Sequence, residues 1–255
     1  MYKIFEETQF IGRQVIFLPK CRSTNDIASE KLRSGELEAG DIVISDHQYA
    51  GRGQRGNSWE SKPGKNLTFS IVLKPSFIHP AQNFYLNIIT SLAIFEVLVK
   101  MNSESFTIKW PNDIMYKDQK LGGILIENII QSTSIKNTVI GIGLNVNQSS
   151  FNNSVRATSL KSIFNQSFKL NALLNKIIQQ FEIEYLLLKS RHLKELRSRY
   201  LSHLYWRNEI HTFTSFKWPG KFQGVIRGID GSGRLRIEYR KEIRVFNLNE
   251  IAYLK

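Results

Sequence analysis

Between residues 49 and 59 the chain reads Tyr49-Ala50-Gly51-Arg52-Gly53-Gln54-Arg55-Gly56-Asn57-Ser58-Trp59. Three glycines and two arginines fall within six residues, and a tryptophan follows. Glycine lets the backbone fold closely around a ligand and expose its N–H groups. Arginine supplies a permanent charge and a planar fork of donors suited to phosphate or carboxylate. The indole offers a flat face to a base or sugar. Arg-Gly runs also occur in flexible nucleic-acid-binding segments. Here, however, strand-like runs frame the loop, residues 41–45 before it and 67–73 after it, and a disordered segment lacks such framing. Together these residues describe a loop between two strands that could wrap a small anionic ligand containing a ring. A merely solvated glycine-rich connector explains the crowding of residue types less well.

At 255 residues the chain suffices for one large domain, or for one domain plus a small one. A hydrophobic content of 42% suits a globular core, and no internal repeat is evident. The single cysteine, Cys21, excludes an intramolecular disulfide and fits a reducing compartment. Glu6, Glu7 and Arg13 break up the N-terminus, which has no apolar core of signal-peptide length. No uninterrupted apolar run approaches the roughly 20 residues of a membrane span. The cytoplasm is the expected location, with no membrane partner. A formal charge of +13, from 35 basic and 22 acidic residues, suits nucleic acid, an anionic small molecule or an acidic protein without choosing among them. The dense basic run at residues 191–199 reads as a solvated helical face.

Residues 13–18 read as a strand. Ser23-Thr24-Asn25-Asp26 then resembles a capping box with aspartate in place of Glu or Gln, opening a helix with Ile27, Ala28 and Leu32 inward and Gly35 as its stop. Pro80 marks the first position of a largely buried helix, since Phe84, Leu86, Ile88, Leu92, Phe95 and Val99 follow it. A strand at residues 107–110 ends at Pro111. Residues 114–116 and 121–130 form a hairpin turning at 117–120, and 138–146 is a further strand. Helical spacing governs residues 170–188 and 193–204. Past Arg207 short strands take over, at 210–217, 220–229, 234–239 and 243–248, with Asp230-Gly231-Ser232-Gly233 as a hairpin turn. The expected architecture is α+β. A mixed sheet flanked by helices fills residues 1–207, and a small β-barrel fills residues 208–255.

Three further motifs carry chemistry. In Lys109-Trp110-Pro111-Asn112-Asp113 a strand opens into a loop, a common place for a site. Lys109 alternates with Ile108 and Trp110 and so faces away from them; an exposed edge lysine is the plain alternative. In Lys120-Leu121-Gly122-Gly123-Ile124-Leu125-Ile126-Glu127 paired glycines interrupt a strand, as close approach to the backbone or a β-bulge requires. Gly141-Ile142-Gly143-Leu144-Asn145-Val146-Asn147 lacks the third glycine and the acid of a dinucleotide fingerprint. Gly51 to Gly56 has the glycine spacing of a Walker A loop, but Asn57 stands where its lysine belongs.

Taken in order, Arg22-Ser23-Thr24-Asn25, Gln48-Tyr49-Ala50-Gly51-Arg52-Gly53, Lys109-Trp110-Pro111-Asn112-Asp113, Lys120-Leu121-Gly122-Gly123-Ile124-Leu125 and Gly141-Ile142-Gly143-Leu144-Asn145 resemble the biotin protein ligases. Gly228-Ile229-Asp230-Gly231-Ser232-Gly233 resembles their C-terminal domain. The resemblance implies a class II synthetase-like biotinyl/lipoyl ligase domain followed by an SH3-like barrel. It implies a two-step reaction. Biotin and ATP, with Mg²⁺, give biotinyl-5'-AMP, and a lysine of a carboxylase's biotin carboxyl carrier domain then takes the biotinyl group. Ser23, Thr24, Asn25 and Gln48 match positions around the biotin rings. Gly51, Arg52, Gly53, Gln54 and Lys109 match positions near its carboxylate and the adenylate. Gly122 and Gly123 would line the biotin pocket. Arg55, Trp59, Asn112 and Asn145 would border the nucleotide, with Trp59 against adenine. Arg52 and Lys109 are the catalytic candidates, and no residue is assigned to a metal.

Gln54 stands where this family often has arginine, which removes one charge near the phosphate. With the first strand near Arg13 there is no room for a helix-turn-helix, so a ligase without DNA binding is expected, as monomer or homodimer. A lipoate or octanoate ligase resembles the same fold, but the longer Arg-Arg-x-x-Gly-Gly-Gly type motif is absent. A basic nucleic-acid-binding protein with a β-barrel tail is the rival from another class, resting on charge.

Overall fold

The computed structural model describes residues 7–101, 105–131, 133–152, 156–216 and 218–254. Glu6 and Lys217, used above, lie outside them. Seven strands form the main sheet: β1 (Val15–Leu18), β2 (Ile42–Ser45), β3 (Leu67–Leu73), β4 (Phe106–Lys109), β5 (Asp113–Tyr116), β6 (Gln119–Gln131) and β7 (Ser134–Leu144). Their order is β1-β2-β3-β7-β6-β5-β4. β1 and β2 run parallel and the remaining neighbours antiparallel, so the sheet is mixed, as expected.

β2 and β3 are buried at every residue. With a side-chain period of two, Ile42, Ile44, Phe69 and Ile71 enter the large core. Val43 and Val72 join Ala28 and Leu32 of α1 (Thr24–Arg33) in a small cluster on the other face. The large core is covered by α2 (Phe84–Val99), α4 (Leu170–Lys189) and α5 (Leu193–Ser202). With the preceding Pro80–Gln82 turn, α2 is long and apolar enough to cross a membrane, but 72% of that stretch is buried inside the protein. It is the central core helix of this fold.

The C-terminal unit is a five-stranded antiparallel sheet of β8 (Ile210–Ser215), β9 (Trp218–Ile229), β10 (Leu235–Tyr239), β11 (Glu242–Phe246) and β12 (Ile251–Leu254), in the order β11-β10-β9-β8-β12. Its Phe213, Ile226, Leu235 and Ile237 belong to the same contiguous core as the main sheet. The seam is close. Trp110 Nε1 donates to Gly233 O at 2.8 Å, and a Cβ on Gly233 would stand 2.1 Å from the Phe84 ring. A side chain at position 233 is therefore excluded by packing as well as by its φ of +84°.

Four details depart from the sequence reading. The short α3 (Leu160–Phe164), capped by the Ser159 side chain, was not foreseen. Neither was β12, whose four residues carry too little pattern to declare themselves. β7 begins at Ser134 because it continues the β6 hairpin almost to its tip. The capping box does not form: Ser23 is the N-cap residue but makes no side-chain cap bond, and Asp26 turns instead to Arg22 and Arg52.

The run at residues 191–199 is also more than a solvated face. Arg199 reaches inward to the fully buried Glu184, at 2.7 and 2.9 Å, and to Glu96 at 2.8 Å, tying α5 to α4 and α2. Removing one partner of a buried pair leaves an uncompensated charge. Arg199→Ala is expected to lower the unfolding free energy by about 3–5 kcal/mol in urea denaturation. A loss below about 1 kcal/mol would show that Glu184 finds compensation elsewhere.

Candidate active site

The α1 face of the sheet carries the site, because the opposite face is filled by α2, α4 and α5. Register decides which residues reach it. Gly123 pairs with Gly143, Leu125 with Gly141, and Ser70 with Gly141 on the other side. These positions alternate with the apolar residues that face the large core. The result is a strip of glycines and small polar groups in front of the N-terminus of α1. That helix end presents Ser23, Thr24 and Asn25, all buried, and its dipole favours a negative ligand.

A hydrogen-bond network fixes the helix end. Gln48 Oε1 accepts from Thr24 N at 2.7 Å and from Thr24 Oγ1 at 3.1 Å. Ser70 Oγ lies 2.8 Å from Thr24 Oγ1 and 2.7 Å from Asn25 Oδ1. Asn25 Nδ2 donates to Glu127 at 2.7 Å and to Leu125 O at 3.2 Å. Gly141 permits this arrangement, since a Cβ there would stand 2.2 Å from Asn25 Oδ1.

The glycine-arginine loop folds back over the strip. Trp59 N donates to Gly51 O at 2.8 Å and Gly53 N to Asn57 O at 2.6 Å, while Arg55 takes a left-handed φ of 60° at the tip. These bonds lay the Trp59 indole on the sheet. A Cβ on Gly143 would lie 2.4 Å from Trp59 Cε2, and one on Gly123 would lie 3.3 Å from Trp59 Cζ3. The glycine motifs in β6 and β7 are thus the floor under one tryptophan. The indole Nε1 is buried without a hydrogen-bond partner, an orphan donor of the kind that a ligand or water normally satisfies.

Two cavities meet at this ring. The first, of about 50 Å³, is lined by Ser23, Thr24, Asn25, Gln48, Arg52 and Gly123 among others. It is far below the ~300–1,000 Å³ of pockets that hold drug-sized ligands. The second, of about 400 Å³, is lined by Asn57, Trp59, Lys120, Asn145, Phe151 and Ala157 among others. Trp59 and Lys120 line both.

The charges are arranged in pairs. Arg52 meets Asp26 at 2.6 Å and Glu127 at 2.8 Å. Lys120 meets Asp113 at 2.6 Å, with its ammonium 5.7 Å from the Trp59 ring centre. Asn112, buried, donates to Ile124 O at 2.6 Å and accepts at its carbonyl from Ile124 N at 3.0 Å, which clamps the turn after β4 to β6. Asn145 Nδ2 donates to Thr158 O at 3.1 Å and leaves its buried Oδ1 unpaired. Burial pushes the Cys21 thiol above its ordinary range, so it offers no thiolate nucleophile at neutral pH.

Of the residues singled out in the sequence, Ser23, Thr24, Asn25, Gln48, Arg52, Gly53, Gln54, Trp59, Asn112 and Gly123 line the first cavity, and Trp59 and Asn145 line the second. Gly51 lies directly beneath, where a Cβ would strike Trp59 O at 2.5 Å. Gly122 faces away, toward Leu144 and the Gly143 carbonyl. Arg55 is exposed at the loop tip. Lys109 lines neither cavity; its ammonium sits 4.7 Å from the Tyr253 ring centre. Sequence reasoning passed over Lys120, Asp113, Asp26 and Glu127. Lys120 opens the double-glycine motif, and Asp113 closes the Lys109 motif, so the strand pattern placed both within reach.

Among the described residues no group of three or more His, Cys, Asp and Glu could hold a metal ion. The carboxylates nearest the cavities are engaged by Arg52 and Lys120. A Mg²⁺ ion entering with a nucleotide would thus be carried chiefly by the phosphates, the ordinary mode for this ion.

The sequence profile of the Biotin/lipoate A/B protein ligase family matches residues 17–145. The chain belongs to that family. Those residues run from the end of β1 through β7, with α1 and α2, and include every residue lining the smaller cavity. The chain is 37% identical over 138 residues to the bifunctional ligase/repressor BirA of Escherichia coli K12, a match covering 54% of this chain and 42% of that protein. It thus spans less than half the length of this relative. Biotin–[acetyl-CoA-carboxylase] ligase of Mycobacterium tuberculosis is 25% identical, over 95% of this chain and 90% of that protein. Among solved structures, biotin protein ligase from Aquifex aeolicus in complex with biotin and ATP superposes with a TM-score of 0.78 at 26% identity, over 94% of this chain and 98% of that one.

Because the Trp59 ring separates the cavities and fills space beside the smaller, any ligand of ordinary size must lift the loop from the sheet. The loop must then open to admit a ligand and reclose over it, so amides from Gly51 to Trp59 are expected to exchange faster without ligand, through such openings, than with biotin and ATP together, read by hydrogen–deuterium exchange. Equal protection in both states would mean that the loop does not close on ligand.

Proposed function

We propose that this chain is an ATP-dependent biotin–protein ligase. It activates biotin as biotinyl-5'-AMP and transfers the biotinyl group to a specific lysine of a biotin carboxyl carrier domain. Membership of the family supports this reading, and so do the relatives named for biotin ligation. The observation that carries it is the pair of cavities joined at Trp59 and Lys120. A carboxylate in the smaller site and a nucleotide in the larger would meet at the Lys120 ammonium.

The chemistry follows from that meeting point. A biotin carboxylate oxygen attacks the α-phosphorus, the bond to the β-phosphate oxygen breaks, and pyrophosphate leaves. Negative charge gathers at the α-phosphoryl oxygens, and prepositioned cations stabilise it. Lys120 holds such a position. Arg52 can supply a second charge once the loop lifts and exchanges Asp26 and Glu127 for substrate oxygens. Lys109 adds a third, on the strand directly opposite Asp113. Ser23, Thr24, Asn25 and Gln48 offer donors and acceptors for a ring amide, and the α1 N-terminus favours an anion. The Trp59 face suits adenine, with the Asn145 Oδ1 acceptor nearby. Bound Mg²⁺ would neutralise the phosphates. In the second step the acceptor lysine's amine attacks the acyl carbonyl and AMP departs. A closed loop keeps water from the mixed anhydride.

Residues 1–207 form the catalytic domain in this reading and residues 208–255 a supporting one. The acceptor would belong to a carboxylase, and the enzyme would work in the cytoplasm.

Biotin-dependent ATP–pyrophosphate exchange tests the proposal. Exchange that requires lipoate or octanoate instead would assign the site to the other branch of the family. Nucleic-acid binding that falls steeply with salt, without exchange, would favour the rival class. Within the proposal, Lys120→Ala is expected to slow exchange by about 10²–10³ while the protein stays folded by circular dichroism. Near-normal exchange would remove Lys120 from the chemistry.

A further inference from the structure

β12 reaches back to the site. It forms one edge of the C-terminal sheet, paired with β8 so that Tyr253 stands opposite Phe213. The Tyr253 ring is held among aromatic neighbours, with ring centres 5.5 Å from Phe213 and 5.6 Å from Trp206. Its hydroxyl is buried without a hydrogen-bond partner. Burial, with the nearby Tyr200, Asp113 and Tyr205, pushes the phenol well above its ordinary pKa, so it stays neutral.

The Lys109 ammonium lies 4.7 Å from this ring's centre, well inside the ~6 Å reach of a cation–π contact. Lys109 ends β4, and its cross-strand partner is Asp113. Asp113 in turn binds Lys120 at 2.6 Å, and Lys120 lines both cavities. One row therefore runs from an aromatic ring of the C-terminal sheet, through Lys109 and Asp113, to the ammonium between the substrate cavities. The next residue on the same strand is fixed to the same sheet, through the Trp110 bond to Gly233 O. A ring built merely to fill the seam needs no cation over it, and Lys109 has a flexible stem that could carry its charge into water.

The structure assigns Tyr253 as a positioning residue for the adenylation step: its ring holds the Lys109 ammonium on the strand opposite Asp113, the partner of Lys120, so the C-terminal sheet sets the charge behind the nucleotide site. This rests on the proposed ligase chemistry and on Lys109 taking part in it.

The test grades the ring without changing its shape. Biotin-dependent ATP–pyrophosphate exchange is measured for Tyr253→Phe and for proteins carrying mono-, di- and pentafluorophenylalanine at position 253. Fluorine withdraws charge from the ring face and weakens its hold on a cation, while packing is nearly kept. Tyr253→Phe should retain most of the activity. The maximal exchange rate or the apparent ATP affinity should then fall stepwise with fluorination, by roughly 3- to 30-fold in total. Biotin affinity by calorimetry and the melting temperature should stay close to wild type. In a Lys109→Ala background the same fluorination should have no effect, because coupled residues are not additive. A flat response to fluorination, with Lys109→Ala strongly impaired, overturns this inference and leaves the ligase reading standing. A fall that persists in the Lys109→Ala background overturns it too, because the ring then acts on something else. Normal exchange by folded Lys109→Ala overturns both the inference and the role proposed for Lys109.

Discussion

One aromatic ring laid on bare backbone organises this site. Trp59 lies on Gly123 and Gly143 because neither strand carries a Cβ there; at Gly143 a methyl would stand 2.4 Å from the indole. Much else follows from that seat. Closing the ring onto the sheet bends the loop through Gly51 and Gly53, brings Arg52 between Asp26 and Glu127, and divides the space before α1 into two cavities. Glycine in a strand interior is ordinarily a loss of stability. Its use at paired positions on adjacent strands is intelligible as the cost of letting a planar group reach the sheet.

The charge arrangement has the same logic. Each cation assigned to the chemistry has a partner: Arg52 with Asp26 and Glu127, Lys120 with Asp113, Lys109 with the Tyr253 ring. These partners come from α1, the β5–β6 hairpin and β12, three regions far apart in sequence. Holding cations in place before substrate arrives avoids reorganisation at the moment of reaction. Arg52 differs from the other two in having two carboxylate partners, on α1 and β6.

Much of this was legible in the sequence, and physics explains which parts. Alternation and apolar runs identified β1 to β7 and the long helices, though not the start of β7, because burial on one or both faces imposes a period that short windows reveal. The mixed sheet with a small C-terminal β unit followed from the change in texture past Arg207. The glycine pairs announced a close approach to the backbone, and the structure identifies the visitor as Trp59. What stayed hidden depends on contacts between distant segments. Ser23 with Asp26 looks like a capping box, yet Asp26 serves Arg52 because the loop brings a guanidinium within 2.6 Å. Gly122 and Gly123 look equivalent, yet a period of two sends them to opposite faces. Lys120 looks like a turn lysine and becomes the charge shared by both cavities. β12 and its tyrosine carry no local signal, since a four-residue strand is specified by its partner more than by its own pattern.

If the indole must leave its seat before biotin enters, part of the biotin-binding barrier is the lifting of Trp59. Apparent affinity is reduced by the fraction of molecules already open. The direct measurement is the association rate of radiolabelled biotin by rapid filtration, compared between the wild type and Trp59→Ala in the absence of ATP. Faster association in Trp59→Ala is the predicted result, since the ring no longer stands beside the smaller cavity. Association that is unchanged or slower in that variant would contradict the view that the glycine-seated tryptophan controls entry to the site.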